Sequence, residues 1–485
     1  MAKIVFLQLN QYELHGPQYI AAVLEAHGHE AALVVPGFEP DPVGRIVRYG
    51  PDVVGIGHST VERKEAVLWA SALKKHVDAL IVLGGIDPTF YPGLALDPCV
   101  DAVIRGEAEL SMLELMDRVD SGDDISDIPG LAISMDGELK INPCGPLIRD
   151  LDSLPFPKKD LYLGRYKQFR KFPIKGFLAS RGCPHNCTYC ANHGLRGLYP
   201  DPGHYVRFKS PEYLTSEIKS VLGKYPARTI GFRDDLFTHK HSWLEQFLPR
   251  YRDEIGIPFS CTARIDTMTH EKAALLAESG CYTCWYGLES ANPDTREMIL
   301  NRRMSNQAIK RGADILHSHG ILTQSYNMMN IPGENIEDGL DTLRLNTEIG
   351  NDFVVASLFQ PFPGTEILER LIKEGKIDNP DNLASRESLS YFAFSPFQQK
   401  DTDKFENLQK FFIIGNAYPR LAPIIKKLCS LPKNPLFDIL FLASFAIYYG
   451  RSHRLRAWEV VYYNLRHVWT TYLAKSRFLP PEDNY

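Results

Sequence analysis

Arg181-Gly182-Cys183-Pro184-His185-Asn186-Cys187-Thr188-Tyr189-Cys190 places three thiols within eight residues, directly after a strand expected at Gly176–Ser180. Thiolates are soft ligands that suit iron–sulfur clusters or zinc. A cubane cluster has four irons and usually takes four cysteines. Three leave one iron open to a small chelating molecule that can receive an electron. The alternative is a structural zinc held with His185 or His193, or with Cys281 and Cys284 as a second half, which leaves one thiol spare. Spacing alone favours the cluster.

Outward from this loop the chain alternates apolar runs with amphipathic stretches. Downstream, strands are expected at Thr229–Phe232, Ser260–Ala263, Tyr282–Tyr286, Leu322–Asn327 and Phe353–Leu358, with helices such as Pro211–Leu222 and His270–Ser279 between them. Six strand–helix units predict a partial α/β barrel over residues 171–375, whose site gathers at the strand C-termini. Upstream, strands are expected at Lys3–Leu9, Glu30–Val35, Val53–Gly57, Leu80–Gly84 and Ala102–Ile104. They predict a Rossmann-like parallel sheet over residues 1–135, with its ligand at the carboxyl edge. Residues 136–170, rich in Pro, Asp and Lys, read as a surface linker. Residues 376–485 read as mostly helical. The fold class is therefore α/β, two parallel-sheet domains and a helical C-terminal region.

The C-x3-C-x-aromatic-C pattern of Cys183, Cys187, Tyr189 and Cys190 resembles the signature of the radical S-adenosylmethionine (SAM) superfamily. Landmarks follow in order: Phe232-Arg233-Asp234-Asp235, Ala263-Arg264-Ile265-Asp266, Tyr286-Gly287-Leu288-Glu289-Ser290, Asn330-Ile331-Pro332-Gly333-Glu334 and Pro361-Phe362-Pro363-Gly364-Thr365. The resemblance implies a [4Fe-4S] cluster on Cys183, Cys187 and Cys190, SAM on the fourth iron, and a 5'-deoxyadenosyl radical that abstracts hydrogen from an unactivated carbon. It further implies SAM contacts from Tyr189, Glu289, Ser290, the backbone at Ile331 and Gly333, Asp235 and Arg264, with Asp234 facing the same cavity. Acids and arginines at barrel rims also form ordinary salt bridges, which is the competing reading for Asp234, Asp235 and Arg264.

The first domain resembles the cobalamin-binding domain that precedes the barrel in many radical SAM proteins. Gly57-His58-Ser59-Thr60, Val82 to Thr89 and Val103 to Glu109 carry the likeness. It implies cobalamin contacts at Ser59, Thr60, Gly84, Gly85, Thr89, Gly106 and Glu107. The D-x-H-x-x-G motif of classical cobalamin enzymes is missing, and His15 reads as a surface or loop histidine, not a cobalt ligand. A Rossmann-like lid that has lost its cofactor is the alternative. Methylthio-transferring relatives carry three cysteines in this domain, whereas only Cys99 precedes residue 144 here. Cys281 and Cys284 read as packing residues.

The resemblance leads to a cobalamin-dependent radical SAM enzyme in which methylcobalamin delivers a methyl group to the substrate radical. A cyclase, oxidase or rearrangement enzyme without methyl transfer is the runner-up, and a non-catalytic iron–sulfur or cobalamin sensor the reading from another class. The chain's 485 residues are 44% hydrophobic and 23% charged, which excludes a wholly disordered or collagen-like protein. A net charge of −5 makes nucleic acid an unexpected partner. Nine scattered cysteines suggest a reducing compartment, and Met1–Asn10 reads as a buried strand instead of a signal peptide, so a cytoplasmic location is expected. Between residues 415 and 478, ten Lys/Arg face only Asp438 and Glu459, a local charge of +8 that leaves −13 for the rest. With Trp458, Trp469 and the apolar run Pro435–Tyr449, this basic segment suggests peripheral membrane contact and a small, lipid-like substrate. The expected electron donor is a flavodoxin- or ferredoxin-like protein.

Overall fold

Within strand β1 (Lys3–Leu7), Ile4 to Leu7 are a continuous buried apolar run, the pattern of a strand covered on both faces. In the computed structural model, which describes residues 1–377, 392 and 394–468, β1 is the second strand of a seven-stranded sheet, paired on both sides. β2 (Glu30–Val34), β3 (Val53–Gly57), β4 (Leu80–Gly84) and β5 (Ala102–Ile104) run parallel to it in the order β2-β1-β3-β4-β5. Three of these strands have the ends expected from sequence, and β1 and β2 stop short of theirs.

Residues 131–141 depart from the expectation. β6 (Leu131–Met135) and β7 (Glu138–Ile141) extend the first sheet antiparallel beyond β5, so the linker read from residue 136 begins inside a hairpin. Nor does the following segment drape over the surface. Leu151, Leu154, Leu161, Tyr162, Leu163, Tyr166 and Phe169 are buried. The Tyr162 hydroxyl donates to Gln8 Oε1 at 2.5 Å, and the Tyr166 hydroxyl receives the Val35 N–H at 2.9 Å. Pro and Lys set the segment's polar composition, while its aromatic residues wedge it between the two sheets.

The second sheet has six parallel strands: β8 (Ile174–Phe177), β11 (Thr229–Phe232), β12 (Phe259–Thr262), β13 (Cys281–Glu289), β14 (Leu322–Met329) and β15 (Phe353–Leu358). Its edges, β8 and β15, are not paired to each other, which makes an open, partial barrel. A two-stranded ribbon, β9 (Ser180–Arg181) and β10 (Arg207–Phe208), flanks the cysteine loop. The helices between strands carry ordinary stop and start signals. Ser210, Thr269 and Ser305 cap helix N-termini with their hydroxyls, Asn335 and Asp338 form a capping box, and Gly350 ends its helix at φ +75°. Beyond the barrel, helix Thr402–Ala417 packs Phe405, Leu408, Phe411 and Phe412 against β15 and helix Ile336–Ile349. Helices Ala422–Cys429, Pro435–Ser452 and Ala457–Val468 follow.

Asp234, just past β11, is buried under the ribbon that leads into the cysteine loop. Its carboxylate accepts the backbone N–H groups of Ala179 and Ser180 and the Ser180 hydroxyl, and its carbonyl accepts from Thr262 at 2.8 Å. It braces backbone and does not face the cavity. Replacing it with Ala strands three buried donors at about 1–3 kcal/mol apiece. We expect D234A to lower unfolding free energy by about 3 kcal/mol or more and D234N, which keeps one acceptor, by less, read from urea unfolding midpoints.

Candidate cofactor sites at the facing strand ends

The cysteine loop leaves β9 through Gly182, whose φ of +85° and close approach to Tyr205 admit no side chain. Cys190 then sits at the N-cap of helix Ala191–Arg196. Cys187 is buried, and Cys183 and Cys190 are half-buried. Burial pushes the Cys183 thiol up, and the Cys190 thiol to about 11. Three soft thiols in one loop give a cubane a cysteine for each of three irons and leave the fourth open.

One network frames the loop. Arg302 stands 3.8 Å from Cys187 Sγ and 3.4 Å from the Tyr189 hydroxyl, and donates to the Gly287 carbonyl at 2.6 Å. Tyr189 donates to Glu289 Oε1 at 3.0 Å. Glu289 ends β13 at φ +69°, and Asn330, just past β14, has φ +66°, so two adjacent strand ends turn through left-handed residues. Burial raises the Glu289 carboxyl, opposed by Arg302. His185 is pushed down to about 4 by burial and then by Arg264 and Arg302, and is neutral.

The remaining expected SAM residues divide. Asp235 opens toward the loop, held by Asn192 and the Gly182 N–H. Ser290 is fully buried and donates to Glu334, away from open space. Arg264 pairs with Asp266 at 3.0 Å and reaches the Arg303 carbonyl at 3.3 Å, the ordinary rim ion pair. The Ile331 carbonyl and Gly333 N–H are engaged by the Gln399 side chain at 3.0 and 3.1 Å. Arg302 and Gln399 were not read from sequence, because each lies far along the chain from the group it meets. Cys281 and Cys284 lie in the core with Cys261, their sulfurs 3.7–3.9 Å apart.

At the first sheet's carboxyl edge, Asp87 is the buried centre. Thr60 donates to it at 2.7 Å, and Arg63 makes two bonds at 2.7 Å. His58 lies 3.6 Å from the same carboxylate, and its Nε2 is buried without a partner. Gly85 has φ +100°, and a Cβ at Gly57 would meet nothing within 4 Å. Ser59 bonds Glu62 at 2.8 Å, while Thr89 links Gly85 to Gly106. An open glycine edge with an orphaned imidazole nitrogen fits a large polar ligand. Gly106 and Glu107 instead touch the second domain: a Cβ at Gly106 would lie 2.5 Å from the Tyr199 hydroxyl, and Glu107 pairs with Arg207 and with Arg181 at 3.2 Å. His15, expected at the surface, opens helix His15–Ala26 and turns into a cavity of the barrel. Burial, then Lys159, Lys209, Arg233 and Arg181, hold it well below the usual imidazole value.

A three-thiol loop at the mouth of an open parallel barrel, facing the glycine-lined edge of a second parallel sheet, defines a SAM-cleaving iron–sulfur fold joined to a cobalamin-type domain. Residues 177–345 match the radical SAM superfamily and residues 12–116 the B12-binding domain. The chain is 30% identical to an uncharacterized methyltransferase of Pyrococcus horikoshii, over 67% of this chain and 71% of that one. It is 25% identical to cytidylyl-2-hydroxyethylphosphonate methyltransferase of Streptomyces wedmorensis, over 76% and 79%. The solved structure of the cobalamin-dependent SAM radical enzyme OxsB with aqua-cobalamin bound is similar at a TM-score of 0.68 and 14% identity, over 92% of this chain and 72% of that one. The chain belongs to the cobalamin-binding radical SAM enzymes. Its cofactors are a [4Fe-4S] cluster, SAM and cobalamin.

Burial pushes the Glu334 carboxyl up to about 8, opposed by Ser290. The penalty for ionising it in the fold is absent below the ordinary carboxyl value and complete once pH passes about 8. Wild-type melting temperature should therefore fall more steeply between pH 5 and 8 than that of E334Q, which is neutral throughout. Parallel curves in differential scanning calorimetry would refute this assignment.

Proposed function

We propose that this enzyme methylates an unactivated carbon of a small molecule. The observation that carries the reading is the facing of the two sites across one seam, where Arg181, the residue before the cysteine loop, pairs with Glu107 and Glu109 of the first domain. Two relatives named as methyltransferases support it. When bound, the cluster supplies the electron that splits one SAM, and cobalamin carries a methyl group drawn from another.

In this reading Cys183, Cys187 and Cys190 hold the cluster. Arg302 places a positive charge beside it. Tyr189, Glu289 and Asp235 hold SAM, and the Ile331–Gly333 backbone, pinned by the Gln399 amide, packs beside its adenine. Ser290 and Arg264 position their neighbours through Glu334 and Asp266. Ser59, Thr60, Gly84, Gly85 and Thr89 form the cobalamin edge, and Gly106 and Glu107 lock that edge to the barrel. The electron comes from a flavodoxin- or ferredoxin-like protein.

The chain also docks on a membrane surface. Among the described residues no helix is long and apolar enough to cross a bilayer. Helix Pro435–Ser452 nevertheless exposes Leu436, Ile439, Leu440 and Ile447 along one face, followed by exposed Trp458, Val461 and Tyr462. Exposed Arg420, Lys427 and Arg451 lie in the same region, which suits an anionic lipid surface. Trp469, Lys475 and Arg477 of the expected basic tail lie outside the described residues.

Two experiments test these readings. Anaerobically reconstituted protein given dithionite and candidate lipid-like substrates should form S-adenosylhomocysteine and 5'-deoxyadenosine in equal amounts, with methylated product. The triple variant C183A/C187A/C190A should retain no cluster iron and lose deoxyadenosine formation at least a hundredfold. Deoxyadenosine without S-adenosylhomocysteine would replace methylation with another radical reaction. Separately, the full chain should float with phosphatidylglycerol vesicles and not with phosphatidylcholine, and I439E/I447E should lose flotation. Equal flotation of wild type and variant would remove the membrane reading.

A further inference from the structure

The barrel's open side holds a cavity of about 570 Å³ that the cofactor sites leave unexplained. Its floor is the second sheet, from Gly176 on the edge strand β8 to Trp285 on β13 and Gln324 and Tyr326 on β14. It is walled by the loop Gln11–His15, by Phe169 of the connecting segment and by aromatic residues of helix Pro435–Ser452, Phe445, Tyr448 and Tyr449 among them. The lining is mostly aromatic, as expected of a site for an apolar body fixed by a few polar groups.

Among the described polar groups of the lining, Arg233 is the one Lys or Arg. It follows β11, is exposed within the cavity, and lays its guanidinium 4.8 Å from the Trp285 ring centroid. Among the described residues, no carboxylate lies within ion-pair distance of it. The nearby acid at the rim, Glu13, is committed to Lys159 and to Gln18, which donates to it at 3.0 Å. The two histidines add no charge. His453 is pushed down to about 3 by burial and by Arg233, and His15 is held neutral as described. His15 and Arg233 share one wall: a Cβ at Gly176 would lie 3.5 Å from His15 Nε2 and 3.6 Å from Arg233 Cγ. A planar guanidinium stacked on indole, with free N–H donors beside a neutral imidazole, presents the fork that carboxylates fit.

We propose that this cavity binds an apolar carboxylic acid, its body against the aromatic walls and its carboxylate on Arg233, with His15 alongside as a neutral hydrogen-bonding group. The inference deepens the enzymatic reading by naming the class of molecule admitted to the barrel, and it depends on that reading only in calling the ligand a substrate.

The test uses the full-length, cluster-loaded protein and two fluorescent probes of matched body, 1-pyrenebutyrate and the neutral 1-pyrenebutanol. Wild type should bind the acid at least tenfold more tightly than the alcohol. R233Q should bring the two within twofold while leaving the alcohol's affinity unchanged, which also shows that the cavity remains folded. R233K, with one compact charge, should keep part of the preference. G176L, which fills the space between His15 and Arg233, should weaken both probes. Equal binding of acid and alcohol by wild type, failure to bind either, or a tenfold preference that survives in R233Q would overturn the proposal. Absence of methyl transfer alongside the expected probe behaviour would overturn the methylation reading and leave this one standing.

Discussion

Arg181 is the constraint on which the arrangement turns. It lies two residues before Cys183, on β9, and its guanidinium reaches out of the second domain to Glu109 at 2.6 Å and Glu107 at 3.2 Å, over the ring of Tyr19 at 4.6 Å. A guanidinium so nearly enclosed is tolerable only when its charge is answered, and removing one partner of such a pair is far more disruptive than the pair's net worth suggests. Arg207 on β10 adds a second link to Glu107, and Tyr199 receives the Glu107 N–H at 2.7 Å. The strand that launches the cysteine loop is thereby anchored to the edge of the other sheet. Cluster and cobalamin chemistry need that proximity, and charge pairing enforces it.

Beneath the same loop, Asp234 works by the opposite means. It meets no cation in its hydrogen-bond set, and its partners are backbone amides and a hydroxyl. Burial pushes its carboxyl up to about 6, so its bracing role is bound up with its protonation. Arg181 fixes where the loop faces, and Asp234 fixes how the chain enters it.

Much of the fold was legible in the sequence because parallel strands buried on both faces appear as short continuous apolar runs. β3, β4, β5, β11 and β15 begin and end where those runs do. The β6–β7 hairpin was missed because only the first three of its nine strand residues are buried, so its pattern is weak, and a proline-rich stretch follows directly. The connecting segment misled by composition: its charged residues advertise a surface, while Tyr162, Tyr166 and Phe169 carry it into the core. The cysteines were legible because all three are local in sequence. Arg302 at Cys187, Gln399 at Ile331 and Gly333, and the packing of Gly106 against Tyr199 join residues about 70 to 115 positions apart, and no local pattern encodes them. His15 misled for a related reason. Its loop position suggested exposure, but the barrel closes over it.

The glycine of Pro363-Gly364-Thr365 invites a cofactor explanation, yet its nearest neighbour is a side chain of the other domain. Phe90, the last residue of the short helix Ile86–Phe90 after β4, lies so close that a Cβ on Gly364 would sit 2.1 Å from its ring, and one on Gly194 would sit 2.2 Å from the Gly364 carbonyl and 3.0 Å from the same ring. The φ of Gly364, +73°, adds a second demand on the backbone. Positions 90, 194 and 364 thus form one steric lock assembled from two domains. Exchange of the first domain between homologous chains would succeed only where ring and glycines travel together, so modularity in this architecture is limited by fit at the seam as well as by chemistry.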